Sequence, residues 1–176
     1  MKKTIFLLSI FIGGFGCLCP DDITFWSLDD FDISLAEMDF DVIETDTITG
    51  DSLLLLMNVD ATIGASFSFN LSNTLLAIHC ARNMELRDGI NKMEVFSDND
   101  YNDIPAGEPL ESIILVFSGQ SIDETVRFAD GLIFEDQWDF LLTERPALGS
   151  RHQFTVRLSF DSGRILERQS RSIVWN

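Results

Sequence analysis

The chain is short of basic charge, of histidine and of cysteine, and each shortage closes off a class of function. Its 176 residues carry 12 Lys plus Arg against 29 Asp plus Glu, a formal net charge of −17. Nucleic acid and anionic bilayer surfaces, both polyanions, are therefore poor partners. There are only two histidines, His79 and His152. A Ser or Cys nucleophile needs a base, usually His, within reach. His79 stands beside Cys80 in a strand-like segment, where successive side chains point to opposite faces, and this works against a Cys-His pair. His152 opens the last hairpin, where a histidine more often satisfies a backbone group. No nucleophile-base set emerges, and a non-enzyme is the expectation. A structural zinc site wants about four Cys or His ligands at local spacing. Three cysteines, one of them used otherwise below, do not supply it. Nor does any apolar run approach the roughly 20 residues of a membrane-spanning helix.

What stands at the start is a secretory layout: Lys2 and Lys3, then an apolar run from Ile5 to Phe15 that is too short to span a bilayer. Gly16 precedes Cys17, and this junction resembles the lipobox of bacterial lipoproteins, with Gly14 where Leu is usual. The expectation is a cleaved signal over 1–16, a lipid on Cys17 as the membrane anchor, an acidic tether over 17–30 holding an apolar knot at Phe25 and Trp26, and one domain over 31–176. Multiple acyl chains would hold such a protein stably, since each buried CH₂ contributes about 0.8 kcal/mol. Asp21 and Asp22 are similar to the acidic residues that follow the lipidated cysteine in surface-exported lipoproteins of Bacteroidota. This leans the localisation towards the cell-surface side of the outer membrane. Cys19 and Cys80 are the thiols that remain in an oxidising compartment, and they are either bridged or, for Cys80, simply buried.

Past Phe31 the pattern is that of strands. Phe31, Ile33 and Leu35 share one parity and Met38, Phe40 and Val42 the other, which suggests a β-bulge near Leu35 and Ala36. Leu53 to Met57 is apolar on both faces and suits a strand covered on both sides. Lys92–Phe96 and Ser112–Phe117 are strand-like, and Gln137–Leu142 is read as a helical turn. Phe154, Val156, Leu158 and Phe160 alternate with polar residues, Asp161-Ser162-Gly163 supplies a turn, and Arg164 to Trp175 returns as a hairpin. The whole reads as mainly β, an antiparallel sandwich, Ig-like at most because the core cysteines flanking a tryptophan are absent. From Leu18 to Ala81 there is no Lys or Arg, whereas six arginines from Arg145 to Arg171 crowd the end. Basic C-terminal strands lying beside acidic N-terminal ones would explain this, and a two-signed surface for a partner is the other reading.

One cluster has ligand-like spacing: Asp98-Asn99-Asp100-Tyr101-Asn102-Asp103. Oxygens at alternate positions can serve Ca²⁺, and Asp98, Asp100 and Asn102 are the candidates. The loop departs from an EF-hand, with Asp103 at the sixth position and Pro109 at the twelfth. A solvated polar loop is the plainer reading, and no other cofactor is expected. Asp46-Thr47-Ile48 and Asp51-Ser52-Leu53 resemble sites of O-glycosylation in exported Bacteroidota proteins.

The stretches Gly16-Cys17-Leu18-Cys19, Ser72 to Cys80, Ser97 to Leu110 and His152 to Gly163 together resemble a family of small uncharacterised Bacteroidota lipoproteins, a domain of unknown function. The resemblance implies a lipoprotein with a β-rich domain and transfers no catalytic residue. The expected function is a non-enzymatic, lipid-anchored binding or structural module that meets a protein or glycan. The alternative is a carbohydrate-active or calcium-dependent adhesion protein using the acidic loop, and exposed Trp26 or Trp138 would favour it.

Overall fold

A computed structural model of the chain describes residues 24–64, 84–116 and 137–176. Cys17, Cys19, His79 and Cys80 lie outside the described residues, and so do the lipid and disulfide expectations built on them. The regular elements of the described residues are strands, save for one 3₁₀ turn at Glu111–Ile113, and turns and loops connect them. The strands are β1 (Thr24–Ala36), β2 (Thr47–Ile48), β3 (Leu53–Ile63), β4 (Met84–Leu86), β5 (Ile90–Ser97), β6 (Ile114–Val116), β7 (Gln137–Leu142), β8 (Arg151–Phe160) and β9 (Ile165–Trp175). One sheet has the order β4-β1-β3-β7-β6 and the other β2-β9-β8-β5.

The pairings are antiparallel apart from two short parallel contacts, β1 with β4 and β2 with β9. A single apolar core joins the sheets: Trp26, Leu28, Phe31, Leu35, Leu55, Met57 and Phe140 from the first meet Met93, Val95, Phe154, Val156, Leu158, Phe160 and Trp175 from the second. Burying a side chain of this size contributes about 1.5–3 kcal/mol, so the fold is the expected mainly β sandwich.

Strand β8 follows its sequence period of two: His152, Phe154, Val156, Leu158 and Phe160 are buried between half-buried Gln153, Thr155, Arg157 and Ser159. The turn after it closes by Gly163 N–H donating to Phe160 O at 2.9 Å, with Gly163 at φ 85°. Positive φ costs glycine nothing sterically. Strand β3 is apolar on both faces because both are covered. Leu53, Leu55 and Met57 enter the joint core, while Leu54 and Leu56 form a second buried cluster with Ala36, flanked by Leu141.

Three expectations are corrected. Residues 24–30 are the first half of β1 rather than tether, because Trp26 and Leu28 alternate into the core at 1% and 0% exposure. The bulge lies not at Leu35 and Ala36, whose register with Leu55 and Leu54 is unbroken, but between Leu28 and Asp30. The change of parity after Ala36 is a turn: Phe40 N–H donates to Glu37 O at 2.9 Å and Glu37 N–H to Asp41 O at 3.1 Å. Phe40 takes φ 66° there, a conformation that costs a bulky residue on the order of 1–3 kcal/mol. Finally, Gln137–Leu142 is strand, with Trp138, Phe140 and Leu142 buried in alternation between partners β3 and β6.

The C-terminal arginines lie against the acidic N-terminal half. Arg168 meets Asp30 at 2.6 Å, Arg171 meets Asp46 at 2.7 Å and Arg145 meets Asp51 at 2.9 Å. Arg164 Nη2 donates to Leu28 O at 2.7 Å and Arg171 Nη1 to Ile43 O at 2.8 Å, so guanidinium groups tie the β8–β9 hairpin to β1 and to the segment that follows it.

Candidate functional site

The register divides the sandwich into two ends. Ala36 pairs with Leu54, Leu53 with Leu142, Ser97 with Phe154 and Arg151 with Val174, so loops 37–52, 98–113 and 143–150 meet at one end. Thr24 pairs with Met84 and Trp26 with Ile63, and the 161–163 turn is held to Asp88 and Gly89, so these mark the opposite end. Strand β1, at roughly 3.3 Å per residue, carries the chain about 40 Å from one end to the other.

At the loop end a shallow depression of about 410 Å³ is lined by Asn99, Asp100, Ser150 and Arg151. A buried polar chain supports its floor. Ser97 Oγ lies 2.8 Å from His152 Nδ1, and Ser150 Oγ lies 2.8 Å from His152 Nε2. The Ser150 hydroxyl donates to Ala147 O, so it accepts from Nε2–H. His152 Nδ1 then accepts from the Ser97 hydroxyl, whose oxygen accepts Asn99 N–H at 3.3 Å. Every proton has a place in the neutral imidazole, as a buried polar group requires. Tyr101, His152, Phe154 and Trp175 pack around this chain with ring centroids 5.1 to 6.3 Å apart, His152 stacked on Phe154 and Trp175 edge-on to the other three. Burial lowers the His152 pKa, opposed by the charge of Asp98. Burial likewise raises the Tyr101 phenol, with the Glu144 charge adding to it. Its hydroxyl donates to Glu144 O at 2.6 Å.

The three calcium candidates brace different parts of the loop end. Asp98 accepts Gln153 N–H at 2.7 Å, and Asp100 accepts Ala106 N–H at 2.9 Å. Asn102, at φ 54°, donates to Arg145 O at 3.2 Å and to Glu144 Oε2 at 3.4 Å. Among the described residues, no group of three or more His, Cys, Asp or Glu is placed to hold a metal ion. Trp26, Trp138 and Trp175 are all buried, so none offers an aromatic platform to a sugar. Thr47 is exposed and Ser52 half-buried, while the adjoining Asp46 and Asp51 are paired with arginines.

Sequence reasoning passed over Ser97, Ser150 and Arg151. The signal available was the period of β8, which sets His152 on the inward face, where a partnered imidazole needs donors and acceptors from neighbouring strands. His152 and Ser97 are 0% and 3% exposed, and Ser150 is the member of this polar chain that lines the depression.

Among the described residues, no helix is long and apolar enough to cross a membrane. No protein-family model matches the chain, and neither a curated protein nor a solved structure matches it.

Proposed function

We propose that this is a lipid-anchored module of the bacterial envelope, non-enzymatic, which meets a protein or glycan through its loop end. The observation that carries the reading is the direction of β1. The strand begins seven residues after Cys17, at the end opposite the loops, and delivers the chain about 40 Å away. An acyl group on Cys17 would therefore leave the depression lined by Asn99, Asp100, Ser150 and Arg151 facing away from the bilayer. Loops on a rigid sheet scaffold are where recognition residues concentrate.

The similarity of its motifs to Bacteroidota lipoproteins supports the outer membrane as the location, with a lean to the cell surface. The alternative, a sugar-active or calcium-dependent adhesion protein, draws less support: the tryptophans are buried, and Asp98 and Asp100 each accept a backbone N–H.

The test is protease shaving of intact cells producing the protein, with the intact mass of the membrane-extracted chain. Acylation at Cys17 and removal of the domain are expected. An unacylated soluble chain would overturn the anchor, and an acylated but protected one would overturn surface display.

A further inference from the structure

Apolar exposure is concentrated at the loop end. Of the eight large hydrophobic side chains exposed among the described residues, three fall within five positions of one turn: Met38 at 46%, Phe40 at 40% and Val42 at 55%. The backbone holds the turn in place from both sides. Val42 bridges Ala36, Ile43 N–H donates to Leu35 O at 2.8 Å, and Phe40 keeps its positive φ of 66°. A strained conformation at a bulky aromatic residue persists where the surroundings enforce it, and such positions gather at recognition sites.

The surround of this turn is single-signed. Glu37, Asp39, Asp41 and Glu44 interleave with the apolar side chains, all four exposed. Among the described residues none of the four is in an ion pair; of the arginines at this end, Arg171 is engaged by Asp46 and Ile43 O, Arg145 by Asp51 and Asn176 O, and Arg151 lines the depression beside Asn99 and Asp100. Among the described residues, then, no paired cation neutralises these four carboxylates.

We infer that the turn Glu37–Glu44 is a docking tip for a protein segment in which apolar side chains are flanked by Lys or Arg. An apolar contact rimmed by opposite charge gives both burial and steering. A second copy of the chain is the wrong occupant, since it brings net charge of −17 to an acidic tip. An anionic bilayer is repelled for the same reason. The tip goes beyond the depression at Asn99 and Arg151, and the inference rests on the proposed function only for which way the tip points.

The probes are three labelled peptides: one alternating Lys with Val, one alternating Lys with Ser and one alternating Glu with Val. Binding is read by fluorescence anisotropy to the full chain in nanodiscs of phosphatidylcholine, with empty discs subtracted. The Lys-Val peptide is expected to bind at least about fivefold tighter than the Lys-Ser peptide, and the Glu-Val peptide not to bind. Met38→Ser with Val42→Ser, which leaves every charge in place, should weaken the Lys-Val peptide by about fivefold or more and leave the Lys-Ser peptide unchanged.

Asp39→Asn with Asp41→Asn should weaken both Lys peptides, and it is the second variant should the first fail to keep its thermal midpoint. Equal binding of the two Lys peptides, or Lys-Val binding untouched by the variants, would overturn the tip and reduce the effect to bulk acidity. The neutral discs make the result independent of where the cell displays the protein, so failure here and failure of surface display are told apart.

Discussion

A single imidazole at the centre of the loop end carries the clearest pH dependence among the described residues. His152 is neutral because its two nitrogens are already assigned, one accepting from Ser97 and one donating to Ser150. Its folded pKa lies below the ordinary 6.5, through burial and against the pull of Asp98. Between the folded and unfolded values the unfolded chain binds more protons, so stability from this group is full above about 6.5 and falls as the pH drops below it. Thermal midpoints measured from pH 7.5 to 5 should therefore decline, and His152→Gln should flatten that decline while lowering the midpoint at pH 7.5; equal slopes would remove the imidazole from the account. The carboxylates of Asp30 and Asp88 act in a separate window. Asp30 is held low by Arg168 and Asp88 by Ser162, so what they contribute is present above about 3.8 and lost only below it. Ser170 shows the other way a buried polar side chain serves. The register of β8 and β9 shifts between Gln153 and Thr155, and there Ser170 Oγ accepts Phe154 N–H at 3.0 Å in place of a ladder partner. Ser170→Ala strands a buried N–H and should cost about 1–3 kcal/mol in urea unfolding. A change within error would mean that the backbone regains a partner by closing the bulge.

Among the elements, β3 makes the sharpest test of packing. Leu54 and Leu55 are neighbours with 0% exposure on opposite faces, so Leu54→Ala and Leu55→Ala should each cost about 2–5 kcal/mol. A loss confined to Leu55 would show that the outer cluster of Ala36, Leu54 and Leu56 contributes little. This double-faced burial was legible in the sequence, because five apolar residues in succession fit neither a half-buried strand nor a helical period. The β8–β9 hairpin was legible for the same kind of reason, with strict alternation and a glycine at the one position of positive φ. Strand β1 was misread at both of its ends, and each miss has a cause. At its start, Asp22, Asp29 and Asp30 made the segment look like a solvated tether, yet a strand needs only alternate apolar residues, and Trp26 and Leu28 supplied them. At its end a turn at Glu37–Asp41 imitates a bulge, since either event flips parity. The loop end was the least legible part. Its carboxylates looked like a ligand set by spacing, but spacing does not reveal that Asp98 and Asp100 spend themselves on backbone N–H groups of Gln153 and Ala106.

Across the whole molecule, the uneven charge of the chain becomes a seam between sheets, formed by Arg164, Arg168 and Arg171 on one side and the acidic β1 and 37–51 region on the other. These pairs are largely solvated, so Arg171→Ala should shift stability only slightly and less still in high salt. The seam also sets the molecule's polarity, because β1 and β9 run side by side from the Thr24 end to the loop end. Orientation can then be measured directly. A fluorophore at Asp161→Cys, on the turn at the Thr24 end, should be quenched by a quencher carried on lipid headgroups, whereas one at Ala106→Cys, about 40 Å further along the β1 direction, should not. Both positions are exposed. Equal quenching at the two sites would mean that the domain lies on its side, and the loop end would then lose the outward aspect on which its role in recognition depends.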